Sequence, residues 1–154
     1  MKNLFLLLAA ILLTSCATNT SFNTFYQKNQ KEAEFSLGLN SSLISSFLSD
    51  EDYEDVKPLL KKAKHIRILV FSENAEEVNS KFDKFIKKSS FEKVIKVQDD
   101  GDKISFFTLE NKNKIKEIVL EISSDGDLVL LGLKTNLSQE DIDKLLESND
   151  ISFN

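Results

Sequence analysis

Four apolar stretches in the second half of the chain, each ended by a turn signal or a cap, constrain the fold more than any other feature. They are Phe91–Val97, Ile104–Leu109, Ile115–Ile122 and Leu128–Leu133. Asp99-Asp100-Gly101-Asp102 separates the first pair, Asn111–Asn113 the second and Asp125-Gly126 the third. Asp-Gly between apolar runs is a strong signal for a two-residue hairpin. Parallel neighbours need a crossover of about a dozen residues, which none of these gaps supplies. The four stretches therefore predict an antiparallel meander. Alternation assigns the faces. Phe91, Ile95 and Val97 share one face. Ile118, Leu120 and Ile122 point to the core, and Glu117, Val119 and Glu121 to solvent. Leu128–Leu133 is apolar on both sides.

The first half mixes helix and strand signals. Residues 22–33 suit a short helix with Phe22, Phe25 and Tyr26 on one side. Phe35, Leu37 and Leu39 alternate with Ser36, Gly38 and Asn40, which suits a strand. Ser41 to Phe47 reads as helical. Leu48-Ser49-Asp50-Glu51-Asp52-Tyr53 carries a cap and a hydrophobic staple. A helix opening there is expected to kink or restart at Pro58 and to reach about Lys64. His65 to Phe71 is a strongly apolar, central strand. Asn74 opens the next helix with Glu77 at the capping-box position. Val78, Phe82, Phe85 and Ile86 form a stripe at helical spacing. Core packing accounts for that stripe better than a heme or ligand box does. Leu137-Ser138-Gln139-Glu140-Asp141-Ile142 repeats the cap and staple and opens a last helix, whose Ile142, Leu145 and Leu146 are expected on the sheet. The order implies one α+β domain over residues 22–154, in two layers, with helices on one face of a mostly antiparallel sheet.

Ahead of this domain stands a different kind of segment. Lys2 precedes ten apolar residues, Leu4 to Leu13. A bilayer span needs about 20, so the run reads as an export signal and not a permanent span. Leu13-Thr14-Ser15-Cys16 resembles a lipobox, the processing site of bacterial lipoproteins. That resemblance implies cleavage between Ser15 and Cys16 and a diacylglycerol thioether on the Cys16 sulfur. Cys16 is the only cysteine, so an internal disulfide is excluded. Two or more acyl chains make a stable anchor. Residues 1–15 would then be a signal peptide and 16–21 a lipidated tether. The five residues after Cys16 reach at most about 18 Å, which keeps the domain near the membrane. Ala17, where many inner-membrane lipoproteins carry Asp, resembles the outer-membrane sorting signal, on the side facing the periplasm.

The formal charge is −5 and it is unevenly spread. Residues 57–96 hold eleven basic side chains against five acids, whereas residues 97–154 hold six against thirteen. Lys81, Lys84, Lys88, Lys93 and Lys96 are the candidate basic face, able to meet anionic headgroups or an acidic partner protein. A solvated helix surface is the plainer account of such a run. Nucleic acid is a poor partner for an exported chain.

The lipobox, the acidic capped segment Asp50–Asp55, the strand His65–Phe71, the helix ending in Phe82-Asp83-Lys84-Phe85, the meander and the terminal capped helix together resemble the small Gram-negative lipoproteins grouped as domain of unknown function 4252. The resemblance implies an envelope lipoprotein. It carries no established activity and no functional residues.

Residues with catalytic chemistry do not converge. His65 is the only histidine, without the partners that a zinc site or a triad needs. Asp99, Asp100 and Asp102, like Asp125 and Asp127, fit hairpin turns and lack the spacing of a calcium loop. Paired carboxylates for glycoside hydrolysis are conceivable, but there is no Trp for a sugar platform. Neither a P-loop nor a nucleophile elbow is present. The expectation is a membrane-anchored, non-catalytic binding or structural module without cofactor or metal. Two rival readings stand beside it: an accessory subunit docking a protein partner through the basic stretch, and a carboxylate-based hydrolase. A contiguous exposed apolar patch would favour the protein partner.

Overall fold

The computed structural model describes residues 21–47, 61–99 and 101–141. In chain order these form α1 (Phe22–Asn29), β1 (Phe35–Asn40), α2 (Ser41–Phe47), β2 (His65–Phe71), α3 (Ala75–Lys88), β3 (Glu92–Asp99), β4 (Asp102–Asn111), β5 (Lys114–Ser124) and β6 (Asp127–Leu137). The strands make one sheet in the order β1-β2-β6-β5-β4-β3, with every pair antiparallel. The α+β class and the meander are as expected. Because β6 returns beside β2, the meander and the first half of the chain share a single sheet.

Turn chemistry sets the meander. Asp125 (φ 52°) and Gly126 (φ 88°) form a two-residue turn between paired Ser124 and Asp127. Lys112 (φ 52°) and Asn113 (φ 57°) do the same between Asn111 and Lys114. The tightness of this second turn has no signal in Asn111–Asn113, because lysine rarely adopts positive φ.

The principal core lies between the sheet and the pair α1 and α3. Leu69, Phe71, Phe107, Leu109, Val119, Leu128 and Leu130 meet Phe22, Phe25, Tyr26, Val78 and Phe82 there. Phe82 is the hub: its ring lies 5.4 Å from Phe25 and 5.6 Å from Phe107, both edge to face. Gly132 lets α1 approach, since a Cβ there would stand 2.0 Å from the Phe22 ring. Ile44 of α2 and Ala63 pack at one end of the opposite face, against Ile118, Leu133 and Leu137.

Two face assignments are corrected. Glu117, Val119 and Glu121 are buried on the α1/α3 side, while Leu120 and Ile122 are only half-buried on the other. A register shift between Lys93 and Ile95 separates Phe91 from its expected companions. Phe91 joins the principal core, whereas Ile95 and Val97 turn to the opposite face and stay exposed. A bulge adds one residue to a strand, so alternation read across it inverts.

The cap predictions divide. Asn74 precedes α3, but its side chain makes no capping bond and instead donates to the Glu32 carbonyl. Ser138 and Asp141 do form a reciprocal cap: the Ser138 N–H donates to the Asp141 carboxylate, and the Asp141 N–H donates to Ser138 Oγ. The expected export signal, Ser15, Cys16, Pro58, Asp100, Ile142, Leu145 and Leu146 lie outside the described residues.

Candidate functional site

Three surfaces carry chemistry. The first is a groove of about 490 Å³ between α1 and α3, lined by Lys28, Lys81, Lys84 and Lys88 with Phe25 and Phe85. The helical spacing of Lys81, Lys84 and Lys88 puts them on one side of α3. Lys81 bonds Glu32 (2.9 Å) and Glu77 (3.0 Å), which raises its pKa. Lys93 and Lys96 are elsewhere, on β3, where the Lys93 ammonium lies 5.3 Å from the Phe107 ring centre. The five lysines of the candidate basic face therefore split between a helix groove and a sheet edge. Lys28 joins the groove from α1, a juxtaposition that its position in the sequence did not signal.

The second surface is a pocket of about 240 Å³ beside the N-terminus of α1, lined by Ser21, Phe22, Asn23, His65, Arg67, Glu117, Gly132, Leu133 and Lys134. Cross-strand register assembles it. His65, Lys134 and Glu117 are successive neighbours across β2, β6 and β5, and Arg67 faces Gly132 one step along. Glu117 caps α1 from 95 residues away. It accepts from the Phe22 N–H (2.8 Å) and from Ser21 Oγ (2.6 Å), where the helix dipole favours negative charge. The Arg67 guanidinium bonds the Leu39 and Ile66 carbonyls and Asn23 Oδ1, and it lies 5.3 Å from the Tyr26 ring centre. The His65 pKa is lowered by desolvation, then by the charges of Arg67, Lys134 and Lys64.

A buried ion pair stands deeper on the same side. Glu121 is fully buried and accepts from Lys103 Nζ at 2.6 Å. Its other oxygen and the hydroxyl of its cross-strand neighbour Ser105 have no hydrogen-bond partner among the described residues. No group of three or more His, Cys, Asp or Glu side chains that could hold a metal gathers among the described residues.

The third surface is the opposite sheet face. Phe35, Val70, Val129, Ile122, Ile104 and Val97 form one cross-strand row through all six strands. Leu37, Ile68, Leu131, Leu120, Phe106 and Ile95 form the next. At the β3–β4 end this surface is open to water: Ile95, Val97 and Ile104 are 41%, 53% and 42% exposed. All eight residues of β3, an edge strand, are exposed.

A family model described as Domain of unknown function (DUF4252) matches residues 26–145. The chain belongs to this family. No curated protein and no solved structure matches it. The DUF4252 match begins within α1 and passes the Ser138–Asp141 cap, so it takes in β1 to β6 and the sheet-borne residues of the Arg67 pocket. Among the described residues no helix is long and apolar enough to cross a membrane.

Proposed function

We propose that this DUF4252 protein is a lipid-anchored envelope module without catalytic activity, and that it holds a partner protein at the free edge of β3. The observation that carries the docking is the exposed apolar group made by Ile95 and Val97 on the edge strand β3 and Ile104 on its neighbour β4; among the described residues no strand pairs with the outer side of β3. Such an edge offers backbone donors and acceptors to an added strand, with alternate side chains giving specificity. Lys93 and Lys96 on the same strand favour an acidic segment. The bulge at Lys93/Ile95 and those lysines also discourage indiscriminate edge pairing. The occupant is therefore an extended, acidic and partly apolar segment of another protein.

The anchor is supported by Leu13-Thr14-Ser15-Cys16 and by the short span from Cys16 to Ser21, the N-cap of α1. The non-catalytic reading is supported by the carboxylates themselves. Glu117 caps a helix and Glu121 is buried in an ion pair with Lys103, so each carboxylate is already committed to a structural contact.

A photocrosslinking residue at Val97 tests the docking in the native envelope. A discrete heteromeric adduct, lost when Ile104→Lys is added, is expected. No adduct, or one of twice the chain mass, overturns it. Labelled palmitate should enter the wild type and not Cys16→Ala; equal labelling removes the anchor.

A further inference from the structure

The only arginine and the only histidine of the chain line the same small pocket. Arg67 makes no ion pair among the described residues, whereas Lys62, Lys81 and Lys103 do. Its guanidinium is nevertheless held in place by two carbonyls, Asn23 and the Tyr26 ring. An arginine fixed without a carboxylate is organised in advance for an oxyanion: its charge is unpaired and, among the described residues, its Nη2 donors are not engaged. Lys134 adds a second positive charge at the rim, and Lys64 flanks His65. Among the described residues the only acid lining the pocket is Glu117, and each of its oxygens already accepts a hydrogen bond from the start of α1. His65 lines the pocket as well, and its buried Nδ1 has no hydrogen-bond partner among the described residues. The volume equals about eight waters at about 30 Å³ each, room for one hydrated tetrahedral anion.

We propose that this pocket binds a phosphate group between Arg67 and Lys134, with the His65 imidazole beside it. Two cationic side chains and a titratable ring suit an anion that can carry two charges. The group can be free phosphate or a phospholipid headgroup. Ser21 lines the pocket, so a lipid on Cys16 would bring headgroups within about 18 Å of it. The proposal depends neither on that anchor nor on the β3 edge.

The test uses the full chain in neutral detergent, followed by NMR. Arg67 Nε–H and the His65 ring each give a signal unique in the protein. Added inorganic phosphate should move both saturably, while chloride at matched ionic strength should not. It should raise the His65 midpoint by about one unit or more, as an anion at close range does. His65 also faces Arg67, Lys134, Lys64 and Glu117, so its response is compared between wild type and Lys134→Gln. Lys134 is exposed, so this variant folds even if Arg67→Gln does not. It should weaken phosphate binding at least about tenfold, the loss of a charge-assisted contact. Unmoved signals, an equal response to chloride, or unchanged affinity in Lys134→Gln would overturn the site. Phosphatidylglycerol vesicles that compete with phosphate assign the headgroup as the source. Vesicles that do not compete assign a soluble phosphate compound, and either result upholds the pocket.

Discussion

The two faces of the sheet bury their side chains on opposite terms. The side under α1 and α3 is closed around Phe82, yet it contains Arg67, Glu117, Glu121, Ser105 and Lys103. The other side is almost wholly apolar in two rows through six strands, yet its β3–β4 end is exposed. Charge therefore sits in the closed layer and hydrophobicity on the partly open one. The difference teaches that burial follows from which helices arrive, and that a charge is tolerated inside when a specific partner meets it.

The sharpest way to break the comparison is to unpair the inner charge. Lys103→Met should destabilise the fold by about 3–5 kcal/mol in urea unfolding, because Glu121 stays buried without its cation. Adding Glu121→Leu should return most of the loss. If single and double variants unfold alike, the ion pair is not what makes that carboxylate tolerable.

Phe82→Ala against Ile104→Thr compares the faces directly. The first should cost about 3–5 kcal/mol by opening a cavity among Phe25, Phe85 and Phe107. The second should stay within about 0.5 kcal/mol at a 42% exposed site. Comparable losses would mean that the β3–β4 end is as closed as the other side. Gly132→Ala should cost about 1–3 kcal/mol by pushing Phe22 off the sheet, with Phe22→Leu restoring part of it.

The smallest effect is a pH dependence at the covered end of the apolar face. Bonds from Ser138, first the backbone N–H and then the hydroxyl, and the Lys62 ammonium lower the Asp141 pKa from 3.8 to about 2. A depressed carboxyl stabilises the fold fully above its ordinary pKa and loses that contribution as the pH falls through about 2. The stability gap between wild type and Asp141→Asn should therefore be widest above about pH 4 and close near pH 2. A gap constant over that range would exclude the carboxylate's role.

Much of the candidate site was written locally and some of it was not. Lys81, Lys84 and Lys88 share a groove because helical spacing places them together, and that was legible. Lys28 joins them only because α1 lies against α3. The Arg67 pocket had no local signal, since its lining comes from α1, β2, β5 and β6 and is gathered by cross-strand register. A lone histidine two residues before a lone arginine in an apolar strand was the only trace of it.

By itself the sequence determined the strands, the hairpins, the phenylalanine stripe of α3 and the antiparallel meander. These rest on interactions within a few residues: φ allowed at Asp125-Gly126, side-chain alternation, and the Ser138–Asp141 cap. Only the tertiary structure decided which face of the sheet became the principal core. Alternation defines two faces but cannot say which one a distant helix will cover. Glu117 and Glu121 lie inside because α1 and Lys103 meet them there, and the bulge before Ile95 sends that residue and Val97 to the other side. Those partners lie from 18 to 96 residues apart along the chain, and only folding brings them together.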